Sequence, residues 1–268
     1  MPALANTPIT SFQDFVVKVD QGAPGALNSL WFRGVGNASY RLSPSIHRHA
    51  QVVSTESLFE MENRLMTRYK ERSVPYLSSQ FRDSWELLFL MQHYSVPTRL
   101  LDWTENPLIA LFFALSSARK DATGNYANDA AVWTLSASKW NQTVFKHQSF
   151  SGAALSPSDT MINQSYAIGS DPRLINEMPV AILGIHNSPR IVAQRGSFTL
   201  FGKSLTPMDE IYTSHAFPAD TLSKITIPAA LIATLLHKLV WMGISDSVIY
   251  PDLEGLAKET KRQFGYEV

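Results

Sequence analysis

A chain of 268 residues with 23 basic and 23 acidic side chains has no net charge with which to build a basic nucleic-acid sheath, although a local patch stays open. The absence of cysteine excludes disulfides, thiolate metal sites and cysteine nucleophiles, and fits a reducing compartment. The opening MPALANTPITSF lacks a basic segment followed by an apolar core, and the longest apolar run, residues 108–115, is too short for a bilayer. A cytoplasmic protein without a membrane partner is the expectation.

In chain order, Ser11 is placed to cap a short helix to residue 19, with Phe12, Phe15, Val16 and Val19 on one face and Gly22 and Pro24 ending it. LWFRGV, Leu30–Val35, reads as a strand whose apolar run meets Arg33 and Gly34. An arginine entering a core needs a carboxylate, a phosphate or carbonyls. Gly34 permits a sharp turn or the close approach of another group. Residues 37–44 read as a loop, and residues 55–72 and 81–94 as amphipathic helices.

Residues 92–104, QHYSVPTRLLDWT, read as a polar connection between two apolar helices. His93 beside Tyr94 suits proton transfer or ribose hydrogen bonding, although a lone histidine at a helix end is more often a structural hydrogen-bonder. Arg99 and Asp102 are spaced to pair with each other. Thr104 is a helix-cap candidate, Pro107 suits a first helical position, and LIALFFAL is apolar all round, as in a buried helix.

Further along, residues 130–135 read as a strand and the Ser-, Gly- and Pro-rich residues 149–159 as a loop or lid. Strands are expected at 180–185, 190–194, 198–201 and 223–227, a helix at 228–242, a last strand at SVIYP and a closing helix from PDLEGLA. In AQRGSFTLF, Gly196 marks a bulge, hairpin or ligand approach, and Gln194, Ser197 and Thr199 supply neutral donors and acceptors. In YPDLEG, Asp252 and Glu254 suit a helix start by default, a catalytic carboxylate being the sharper alternative. The expected fold is α+β: a helix-rich first half packed on a mainly antiparallel, strand-rich second half. His47 and His49 have no third partner at motif spacing, so no metal site is expected. Phosphate-loop, GxGxxG, HExxH and GxSxG patterns are absent.

Phe32-Arg33-Gly34 and the run QHYSVPTRLLDWTENPLIALFFAL resemble the FRG domain family, whose QHxGxPTRLLDWTxNPLxALxFA signature the run follows nearly position for position. Ser95 stands where the family has glycine. AQRGSFTLF and YPDLEGLA also resemble family patterns, so the resemblance implies one domain over residues 1–268 with a core of about 27–257. It implies a protein of bacterial or phage conflict, toxin or defence. The order of parts is also similar to that of ADP-ribosyltransferases. That analogy implies an enzyme using NAD as a nucleotide cofactor, as transferase or NAD glycohydrolase, with a protein or nucleic-acid acceptor. In it, Arg33, His93 and Glu254 are catalytic, and Arg33, Gly34, Tyr94, Arg99, Gln194, Ser197 and Thr199 hold the cofactor. The alternative is a non-catalytic FRG module binding a nucleotide, nucleic acid or partner protein. A third reading is purely structural, with Arg33 pairing Asp102.

Overall fold

Apolar faces along the chain fold around one mixed sheet, seen in a computed structural model that describes residues 2–22, 30–77, 79–148, 150–152, 154–185, 188–266 and 268. Pro24, and Ser149 and Ala153 of the expected lid, lie outside the described residues. The chain runs β1 (Ala5–Pro8), α1 (Phe12–Gln21), β2 (Leu30–Val35), α2 (Thr55–Ser73), α3 (Ser84–His93), β3 (Leu100–Thr104) and α4 (Pro107–Ser116). It continues with β4 (Ala130–Ser136), α5 (Ala137–Val144), α6 (Thr160–Ser165), β5 (Val180–Leu183), α7 (Pro189–Gln194) and β6 (Gly196–Leu200). The last elements are α8 (Met208–Ser214), β7 (Leu222–Ile227), α9 (Ala229–Trp241), α10 (Asp246–Ile249) and α11 (Leu253–Gln263).

The seven strands order as β1-β7-β4-β2-β3-β6-β5, antiparallel except for the β1–β7 pair. The fold is α+β. Helices and strands do not separate by half, however, because β1 to β4 all precede residue 137. Three short elements differ from the sequence reading. LLDWT is β3, not part of a loop. Residues 189–194 form α7, which Ser188 caps by accepting from the Ile191 N–H, and not a strand. SVIYP carries the end of α10, Asp246–Ile249, in place of a last strand.

Each face of the sheet buries its own core. Leu30 and Phe32 of β2, with Val132, Ile225 and Ile227, pack under α1, α4 and α9. Leu100, Phe198 and Leu200 pack under α3 with Trp85, Leu88 and Phe89. The opposite face joins Trp31, Trp133, Leu101 and Trp103 to Trp140 of α5 and to Met208, Ile211 and Tyr212 of α8. Helix α4 is buried on most sides, as its all-round apolar sequence requires. Its cap is Asn106, not Thr104: the Asn106 side chain accepts from the Leu108 and Ile109 N–H groups. Thr104 ends β3, donates to the Gln194 carbonyl at 2.6 Å and accepts from the Asn106 N–H at 3.1 Å.

Gly34 lets α4 lie directly on β2. A Cβ there would come within 2.5 Å of the Ala114 backbone nitrogen and closer still to the Ala110 carbonyl oxygen. Gly36 faces the Ser117 backbone in the same way, so the two glycines of FRGVG form the groove in which α4 sits. Nothing in the described structure reaches the length and hydropathy of a membrane-crossing helix.

Candidate functional site

The sheet is split at its centre. β2 pairs with β4 over all six of its residues and β3 pairs with β6 over all five, but β2 and β3 share a single ladder pair, Phe32 with Thr104. The edge of β3 that faces the split would carry unsatisfied backbone groups. Side chains of the motifs satisfy two of them. Arg33 donates Nη1 to the Asp102 carbonyl at 2.7 Å, and the Leu100 N–H donates to the Thr98 hydroxyl at 3.0 Å.

A cleft of about 390 Å³ opens over this split, within the size range of small-ligand sites. Its lining includes Arg33, Arg48 and Arg190, the polar side chains of Ser45, Gln92, Ser95, Ser117 and Gln194, and one acidic residue, Asp102. Arg33 is largely buried; burial lowers its pKa from the ordinary arginine value, the Asp102 charge opposes that, and the Arg48 charge adds to it. The other two arginines have no carboxylate within ion-pair distance among the described residues. Arg48 donates to the Ser43 carbonyl at 3.1 Å, and Arg190 lies over the Tyr250 ring at 4.6 Å.

Of the residues expected to be catalytic or to hold the cofactor, the cleft brings together Arg33, Gly34 and Gln194; Asp102 and Thr104, read in the sequence as an ion-pair partner and a helix cap, line it as well. Gln194 is tied down by its own bond from Nε2 to the Ile249 carbonyl, 3.1 Å. Gly34 lines the cleft, but its missing side chain is explained by α4. His93 and Tyr94 sit beside the cleft at the end of α3 and are not among its lining residues. The His93 ring meets Tyr94 edge-on with centroids 4.7 Å apart, and its buried Nδ1 has no hydrogen-bond partner among the described residues. Burial lowers the His93 pKa, the nearby Arg190 charge lowers it further, and Asp252 opposes both.

The structure places five expected site residues elsewhere. Arg99 is fully buried; it bonds Glu62 at 2.8 Å and the Phe201 carbonyl at 2.7 Å, and lies 4.9 Å from the centre of the Phe59 ring. It does not pair with Asp102, and it does not line the cleft. Ser197 and Thr199 are buried on the face of β6 that meets Leu101 and Trp103, and the Thr199 hydroxyl accepts from the Trp103 indole at 3.0 Å. Glu254 is 69% exposed, binds Lys258 at 2.7 Å and does not line the cleft. Asp252 caps α11 by accepting from the Gly255 N–H at 2.8 Å. The sequence reading also missed Arg190 and Arg48. Neither is spaced to any motif, and Arg190 lay in a stretch read as a strand.

Residues 28–123, which include Phe32-Arg33-Gly34 and the QHYSVPTRLLDWTENPLIALFFAL run, match the FRG domain family; the AQRGSFTLF and YPDLEGLA segments lie outside that match. No curated protein and no solved structure matches the chain significantly. Ser95 has a φ of 59°, the left-handed region, which gives a physical reason for the glycine the family uses there. The Ser95 and Val96 N–H groups close the end of α3 on the carbonyls of Gln92 and Met91.

Proposed function

We propose that the cleft over the β2–β3 split binds a phosphate-bearing nucleotide, with NAD as the first candidate. The observation that carries this reading is the convergence of Arg33, Arg48 and Arg190 on one concave site with a single acidic residue in a chain of zero net charge. Arg48 and Arg190, which have no carboxylate within ion-pair distance among the described residues, suit phosphate oxygens, which arginines meet with charge-assisted and often paired hydrogen bonds. Ser45, Ser95 and Ser117 supply neutral hydroxyls of the kind that ribose hydroxyls or an amide require. The reading extends to hydrolysis of the nicotinamide bond, or to transfer of ADP-ribose onto a protein or nucleic-acid acceptor in bacterial or phage conflict.

Titration calorimetry with ADP-ribose and with unphosphorylated nicotinamide riboside tests the binding. Arg190→Ala and Arg48→Ala are each expected to weaken ADP-ribose by about tenfold, the loss of one charge-assisted bond, and to leave nicotinamide riboside unchanged. Equal affinity for the two ligands, or no binding of ADP-ribose, overturns the reading. The position of Glu254 outside the cleft favours a second reading, a module that holds its ligand without turnover. Ligand-dependent thermal stabilisation with no nicotinamide release would support that one.

A further inference from the structure

Four of the five side chains of β3 are buried; the fifth, Asp102, is 58% exposed and opens into the cleft. Solvation alone would account for an exposed carboxylate, but not for one that is held in place. Gln92 donates Nε2 to both Asp102 carboxylate oxygens at 2.8 Å. The amide is fixed the right way round, because its Oε1 accepts from the Thr98 hydroxyl at 2.5 Å. That hydroxyl in turn accepts the Leu100 N–H, which leaves its proton directed at Gln92. From the other side, Arg33 holds the Asp102 carbonyl and stands 3.8 Å from Oδ2. A relay from backbone through Thr98 and Gln92 therefore orients one carboxylate among three arginines.

The geometry points to Asp102 as the catalytic carboxylate for cleavage of the N-glycosidic bond of the nucleotide held in this cleft, with Gln92 and Thr98 as positioning residues. The inference rests on the nucleotide reading given above. Arginines that grip phosphates also repel the positive charge that grows on a ribose when its glycosidic bond breaks, and a carboxylate between them offsets that repulsion. In NAD, the bond between ribose C1′ and the pyridinium nitrogen breaks. Its electron pair leaves with the ring, giving neutral nicotinamide, and the charge left on C1′ and O4′ faces Asp102. Water adds at C1′ and its proton passes to Asp102 and then to solvent, yielding ADP-ribose; nothing is oxidised or reduced. Glu254 is not the candidate for this role, because it pairs with Lys258 and does not line the cleft.

The test uses the full chain with NAD as substrate, quantifying released nicotinamide, and ADP-ribose as the binding probe. Asp102→Asn keeps the shape and removes the charge. It is expected to bind ADP-ribose within about threefold of the unaltered protein and to release nicotinamide at least about 10²-fold more slowly. Gln92→Leu is expected to lower kcat by about tenfold or more with KM unchanged, whereas a merely structural role would lower Tm and leave kcat alone. Release by Asp102→Asn within about threefold of the unaltered protein overturns the inference and leaves the binding cleft standing. Tight binding of ADP-ribose with no nicotinamide release by the unaltered chain overturns it in the same way. Absence of ADP-ribose binding removes the nucleotide reading itself.

Discussion

Replacing Gly34 with alanine tests why the FRG triplet ends in glycine. The new methyl group would lie 2.5 Å from the Ala114 nitrogen and nearer still to the Ala110 oxygen, both backbone atoms of α4. Ordinary contact requires roughly 3.5 Å, so the helix must retreat by on the order of 1 Å or more. It has no free direction in which to do so. Its start is fixed by Asn106 and Thr104, and Ile109, Ala110, Leu111, Phe112, Ala114 and Leu115 are all buried. Overpacking against backbone at such a site belongs at the upper end of its range, about 3 kcal/mol. For a chain of this size that is a fall in Tm of roughly 6–12 °C. Urea unfolding followed by circular dichroism measures the loss directly. Gly124→Ala is the control: its φ is 83° and nothing lies within 4 Å of the added carbon, so only backbone strain of about 1 kcal/mol applies. A Gly34→Ala protein no less stable than the Gly124→Ala control would refute the packing account and return Gly34 to the ligand.

Glu62→Ala leaves the Arg99 guanidinium buried without its carboxylate and should cost about 3–5 kcal/mol. Combining Glu62→Leu with Arg99→Met removes both charges and should cost much less, as read by the same urea curves. Ser95→Gly should raise stability by roughly 0.5–1 kcal/mol, since the position is already left-handed, and a loss of stability would contradict the cap geometry. His47 has a pKa lowered to about 4, first by burial and then by the Arg99 charge. The unfolded chain binds this proton near pH 6.5 and the folded chain only near 4, so the stabilisation is complete above pH 6.5. It is lost as pH falls to 4, a change of about 3 kcal/mol. His47→Gln should flatten the stability profile in that window, leaving the smaller slope of the same sign from His93; an unchanged profile would count against it.

Long periodic elements were legible in the sequence, and the short ones were decided by contacts that sequence spacing does not show. The spacing of Leu58, Met61, Leu65 and Tyr69 predicts α2, and Ser11 caps α1 as read. β3 looked like a loop because it is five residues long, carries an aspartate and sits between Pro97 and Pro107. IVA in α7 and SVI in α10 have β-branched residues that favour strands; the Ser188 cap on α7, and the bonds that the Ser245 and Asp246 carbonyls accept from Ile249 and Tyr250, set the local geometry instead. Among site residues, Arg33 and Gln194 were found because each stands close to a glycine that interrupts an apolar strand-like run. The partner of Arg99 is not legible from local spacing because Glu62 lies 37 residues away, on α2. Thr199 looked polar enough for a ligand, and its hydroxyl instead serves an indole on the neighbouring strand.

The interleaved strand order also separates two meanings of the word domain. Residues 28–123 are recognisable as a sequence unit. They are not a unit of folding, because β2 leans on β4 and β3 on β6, and both partners lie downstream of that segment. α4, the segment's most apolar helix, is covered by α9 from near the other end of the chain. Grafted into another protein, residues 28–123 would present two bare strand edges and an uncovered oily helix, and would aggregate. The cleft would be missing as well, since Arg190 and Gln194 form the wall that the transplanted piece leaves behind.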